Sequence, residues 1–129
     1  MQKHYQSLAS LILWRNAERP INWPQMFERE APLEVEIGFG KGEYLVRLAQ
    51  SFPERNFVGI EVEWGSVRRA LAAIAREKVN NVRLLFVDTR IAFDRLFCPR
   101  AIERVYALFP MPWPKERHIK HRVFSHDFP

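Results

Sequence analysis

The stretch from Leu33 to Val62, LEVEIGFGKGEYLVRLAQSFPERNFVGIEV, decides the fold. LEVEIGFG reads as a strand that stops at glycines. EYLVRLAQSF follows with Leu45, Leu48, Ala49 and Phe52 at helical spacing, and NFVGIEV reads as a second strand. Strand, helix and strand in that order form a βαβ unit, which implies parallel pairing. The rhythm then continues toward the C-terminus. SVRRALAAIAREK carries Val67, Ala70, Leu71, Ile74 and Ala75 on one stripe, with Ser66 placed to cap it. NVRLLFVD is a third strand, IAFDRLF a short helix and RVYALF a fourth strand. Apolar runs such as LLFV and VYALF suit strands buried on both faces. The fold class is α/β, a doubly wound and mostly parallel sheet.

Upstream, Leu8, Leu11, Ile12 and Arg15 suggest a short amphipathic helix, and Pro20 and Pro24 break the chain after it. We therefore divide the sequence into a lead-in, 1–30, and a sheet domain, 31–129. The chain of 129 residues is basic, with 20 Lys and Arg against 15 Asp and Glu and a net charge of +5. That balance suggests an anionic partner, and residues 115–122 concentrate it in Lys115, Arg117, Lys120 and Arg122, with His118 and His121 between. Cys98 stands alone, so neither an intrachain disulfide nor a cysteine-based zinc site can form, which fits a reducing cytoplasm. SLASLILW is too short for a membrane span and lacks a small-residue cleavage pattern. His118 and His121 find no convincing third ligand, so no metal is expected.

In open α/β sheets ligands bind beyond the carboxyl ends of the strands. Gly38, Gly40 and Gly42 follow the first strand there, in a spacing that matches neither a phosphate P-loop nor G-x-G-x-x-G. Glu36, Glu61 and Asp88 stand at the ends of three successive strands. Glu61 lies about 20 residues beyond the glycines, the distance at which an acid accepts hydrogen bonds from a ribose diol. Ribose hydroxyls, an adenine amino group and a ligand ammonium would supply the donors such carboxylates need. Glu43, where the helix after the turn begins, repels a pyrophosphate and tolerates a cationic ligand. The acid-rich crevice therefore favours S-adenosylmethionine over a nicotinamide dinucleotide.

EIGFGKGEYLVRLA, NFVGIEVEWGSVRRAL, NVRLL with its following Asp, and FPMPWPKERHIKHR occur in this order in tRNA (guanine-N7)-methyltransferases, which the chain closely resembles from about Trp23 onward. The resemblance implies the class I, Rossmann-like methyltransferase fold, with S-adenosylmethionine as cofactor and N7 of a variable-loop guanine in tRNA as methyl acceptor. It implies cofactor contacts from Glu36, Glu61 and Asp88, a cofactor turn formed by Gly38 and Gly40, and RNA contact by Lys115. With its first strand central, such a sheet has the order 3-2-1-4.

The resemblance also explains PMPWP. Pro110, Pro112 and Pro114 fix φ and make a stiff ledge, beyond which Arg117, His118, Lys120 and Arg122 can follow a phosphate backbone. Two features depart from the family. Met111 occupies the position of an Asp to which the family assigns a catalytic role. Guanine N7 already carries a free lone pair, so its attack needs alignment rather than a general base. Loss of one charged hydrogen bond, ~1.5–3 kcal/mol, implies roughly ten- to a hundredfold slower transfer. The sequence also stops where the family continues. That leads us to expect an incomplete sheet of about four strands, a raw edge on the fourth, and self-association through that edge. Two other readings stay open: a non-catalytic RNA-binding remnant and a small-molecule methyltransferase.

Overall fold

A computed structural model describes residues 9–107. Four parallel strands form one sheet: β1 (Leu33–Ile37), β2 (Asn56–Glu61), β3 (Val82–Phe86) and β4 (Arg104–Ala107). Their order is β3-β2-β1-β4, as expected for a sheet with its first strand central. Val35 pairs with Val58 on one side and Val105 on the other, and Val58 is opposite Arg83. Every residue of β1 is buried, because helices and connecting segments cover both faces.

One face carries α2 (Glu43–Ser51) and α3 (Trp64–Glu77). Leu45 and Leu48 of α2, with Val67, Leu71 and Ile74 of α3, pack on Phe57, Val82 and Leu84 of the sheet. The other face carries α1 (Trp23–Phe27), and α4 (Thr89–Ile91), which runs on into a π-turn, Ala92–Leu96. There Leu33, Val35 and Ile37 meet Phe27, Phe93, Leu96 and Phe97. The Trp23 ring stacks on Phe97 with centroids 4.9 Å apart. Asn22 accepts a hydrogen bond from the Gln25 amide and caps α1.

The structure departs from three sequence expectations. The amphipathic helix expected around Leu8–Arg15 does not run through Leu11 to Arg15. Leu11 instead bridges β3 in parallel, with the Ile12 amide donating to the Leu84 carbonyl and the Leu84 amide to the Ser10 carbonyl. A 3-10 turn, Trp14–Asn16, follows. An open strand edge offers unpaired backbone groups, and these outcompete local helical periodicity. Ser66 is not the cap of α3. Glu63 takes the cap position, and the buried Ser66 hydroxyl donates to its carboxylate, holding that carboxyl below the usual range. The third difference is in the double burial expected of LLFV and VYALF: Phe86 of the first run is exposed and Tyr106 of the second half-buried.

Among the described residues no helix is long and apolar enough to cross a membrane. Nor does any group of His, Cys, Asp and Glu there form a metal cluster.

Candidate functional site

The parallel strands bring Glu36, the glycine turn and Glu61 to one rim of the sheet. Glu36, the penultimate residue of β1, is buried and lines an open cleft of about 420 Å³. Gly38 and Lys41 from the turn, and Glu43, Tyr44 and Arg47 from α2, complete the lining. Two carboxylates and two cations thus face one space, which suits a ligand that carries both charges.

The turn is tied to β2 through Glu61. The Gly40 amide donates to Glu61 Oε2 at 3.0 Å and the Val62 amide to Oε1 at 3.0 Å. Each carboxylate oxygen keeps acceptor capacity for a hydroxyl donor. Gly40 has φ of +61°, and a Cβ built there would meet nothing within 4 Å, so the space above the turn is open to a ligand. Gly38 also has positive φ and lines the cleft.

Asp88 lies beyond the end of β3 rather than in it. Its carboxylate accepts from the Arg90 amide at 2.8 Å and caps α4. The structure therefore joins Glu36, Gly38, Gly40 and Glu61 through the turn and its cleft, while Asp88 stands on the same rim outside that cleft. Met111, Lys115, Arg117, His118, Lys120 and Arg122 lie outside the described residues, as do His121 and the proline ledge.

A second polar group, not apparent from the sequence, centres on β1. Glu34, buried within β1, accepts from Arg55 Nη1 at 2.8 Å and from the Tyr106 hydroxyl at 2.7 Å. Arg55 also pairs with Glu103 at 2.5 Å. A buried carboxylate needs such donors. The alternation in LEVEI, with acids between apolar residues, was the available signal. Burial and the Glu34 hydrogen bond together push the Tyr106 phenol up to about 12. The Tyr106 ring meets Tyr44 edge-on, 5.9 Å between centroids, and so connects this group to the cleft wall.

Residues 30–128 match the family described as "Putative methyltransferase". The chain belongs to this methyltransferase family. Two curated relatives are similar to it in sequence, and both are named tRNA (guanine-N(7)-)-methyltransferase. The protein from Thermotoga maritima is 46% identical over 109 residues, 84% of this chain and 35% of its own length. The one from Chlorobium phaeobacteroides is 45% identical over 107 residues, 82% of this chain and 52% of its own. The chain thus spans about half the length, or less, of these relatives. Among solved structures, the 16S rRNA methyltransferase KamB superposes with a TM-score of 0.56 at 18% identity, over 74% of this chain and 43% of its own. That likeness, together with the 3-2-1-4 sheet, establishes the class I methyltransferase fold.

Proposed function

We propose that the methyltransferase moves a methyl group from S-adenosylmethionine to N7 of a variable-loop guanine in tRNA. The observation that carries this reading is the clamp between the Gly40 amide and Glu61, beneath open space and beside buried Glu36. The site residues fit the donor. Glu61 would accept from the ribose diol, Asp88 from the adenine amino group, and Glu36 would face the ammonium end, with Gly38 and Gly40 leaving room for the backbone approach. When bound, S-adenosylmethionine supplies an electrophilic methyl on a sulfonium. The acids of the rim stabilise that cation, and the turn fixes its direction, so the chain contributes positioning and charge.

Lys115, Arg117, His118, Lys120 and Arg122 would hold the RNA backbone. A cytoplasmic placement is part of this reading, supported by the proposed tRNA substrate and the lone Cys98. The names of the relatives support the substrate, and a small-molecule acceptor would leave the cationic segment without a role. A non-catalytic RNA-binding remnant is the second reading, favoured by Met111 at the family's Asp position.

Tritiated methyl transfer to unmodified tRNA tests the assignment. Met111→Asp should raise the rate roughly ten- to a hundredfold. Glu61→Gln should weaken binding of S-adenosylhomocysteine about tenfold or more. Label in neither the parent nor the Asp variant, with tRNA still bound, would replace the enzyme by the remnant.

A further inference from the structure

At the end of β3, across β2 from the strand that carries Glu36, the structure has a second feature that the methyl-transfer reading leaves unused. An apolar groove of about 390 Å³ is lined by Leu13, Trp14, Arg15, Trp64 and Phe86 with their neighbours, and it shares no lining residue with the cleft at Glu36. Its walls are exposed although they are apolar: Leu13 is 69% exposed, Trp64 44% and Phe86 42%. Single exposed apolar residues are ordinary on a protein surface, whereas a contiguous cluster marks a contact site.

The groove is preorganised. Trp64 and Phe86 stand edge to face with centroids 5.2 Å apart. Backbone pairing of Ser10 and Ile12 with Leu84 fixes the N-terminal wall, and Trp14 Nε1 donates to the Phe86 carbonyl at 3.1 Å. Cations border it. The Arg15 and Arg19 guanidiniums lie 4.9 and 5.5 Å from the centre of the Trp14 ring. Arg19 also donates to the Arg15 carbonyl at 3.0 Å, which holds the two arginines together. Arg68 follows Trp64 one turn along α3, on the same helical face. Glu18 lies between the two N-terminal arginines, so the border is mixed with a positive excess.

Exposed aromatic faces beside guanidiniums suit a partner that is flat, π-rich and anionic at once. A nucleotide outside a duplex has that chemistry: its base stacks while its phosphate meets the arginines. The net charge of +5 draws the same class of partner. We propose that this groove holds an unpaired nucleotide of the RNA substrate, at a position separate from the methyl-accepting guanine. The proposal rests on the reading of tRNA as substrate. It gives the N-terminal segment a role in substrate binding as well as in covering β3.

The test measures tRNA affinity and S-adenosylhomocysteine affinity in parallel, on the full chain. Trp64→Ala should weaken binding of unmodified tRNA roughly five- to a hundredfold while leaving S-adenosylhomocysteine binding unchanged, since one base–aromatic stack carries about that much. Trp64→Phe, which keeps an aromatic face at an exposed position, should retain most of the affinity and confirm that the fold survives. Arg15→Gln should lower the slope of log affinity against log salt by about 1. Equal tRNA affinity in Trp64→Ala and the parent would overturn the groove assignment alone. So would a parallel loss of S-adenosylhomocysteine binding, which would make the groove part of the cofactor pocket. A parent chain that binds S-adenosylhomocysteine but no tRNA would overturn the substrate reading, and the groove assignment with it.

Discussion

Gly40 and Gly42 share a left-handed backbone conformation and differ in what surrounds them. A methyl at Gly40 would enter open space, whereas one at Gly42 would sit 2.7 Å from the Ala70 Cβ. Gly42 caps α2 and lets α2 approach α3, while Gly40 donates to Glu61 below the proposed ligand. The two substitutions to alanine should therefore separate stability from binding. Gly42→Ala combines left-handed strain with overpacking and should cost roughly 2–4 kcal/mol in urea unfolding. Gly40→Ala should cost about 1–2 kcal/mol of stability and, in calorimetry, weaken S-adenosylhomocysteine binding more than Gly42→Ala does. Equal binding by Gly40→Ala and the parent would remove the turn from the cofactor site. In the sequence the two glycines look equivalent, because what distinguishes them is Ala70, brought near only by helix packing.

At the scale of elements, β1, β4 and the connection into β2 are joined by one buried carboxylate. Glu34 comes from β1, Tyr106 from β4 and Arg55 from the segment before β2. Because Tyr106 titrates near 12 when folded and near its ordinary 10 when unfolded, the folded chain keeps the proton longer. That contribution is fully present below pH 10 and is lost as pH rises toward about 12. Tyr106→Phe should reduce stability by ~1–2 kcal/mol at neutral pH and show a flatter decline across that alkaline window. Urea titrations at several pH values would show it; matching slopes for the two proteins would mean the phenol is not coupled to folding. The βαβ pattern and the strand-end acids Glu36 and Glu61 were legible, since local periodicity and the order of elements encode them. The Glu34 group was not, because three segments distant in sequence must meet to form it. The course of Leu11 to Arg15 departs from its local periodicity for the same reason: the partner of Leu11, Leu84, lies more than seventy residues away.

For the molecule as a whole, the two edges of the sheet are treated differently. The outer edge of β3 is met by Ser10–Ile12, whose bonds to Leu84 satisfy backbone groups that would otherwise face water. Among the described residues no strand pairs with the outer edge of β4, whose inner edge is held by β1. Val105 and Ala107 are buried beside that edge, so a chain adding there would extend an existing apolar layer as well as a backbone ladder. Such pairing is intermolecular when the added strand comes from a second copy, and its extent then follows concentration. We expect the apparent mass in light scattering after size exclusion to rise as the protein is concentrated, in high as in low salt, because backbone pairing and apolar burial carry little charge dependence. A mass that stays monomeric across the whole concentration range would overturn the pairing. Association that disappears on adding salt would instead assign it to charged surfaces.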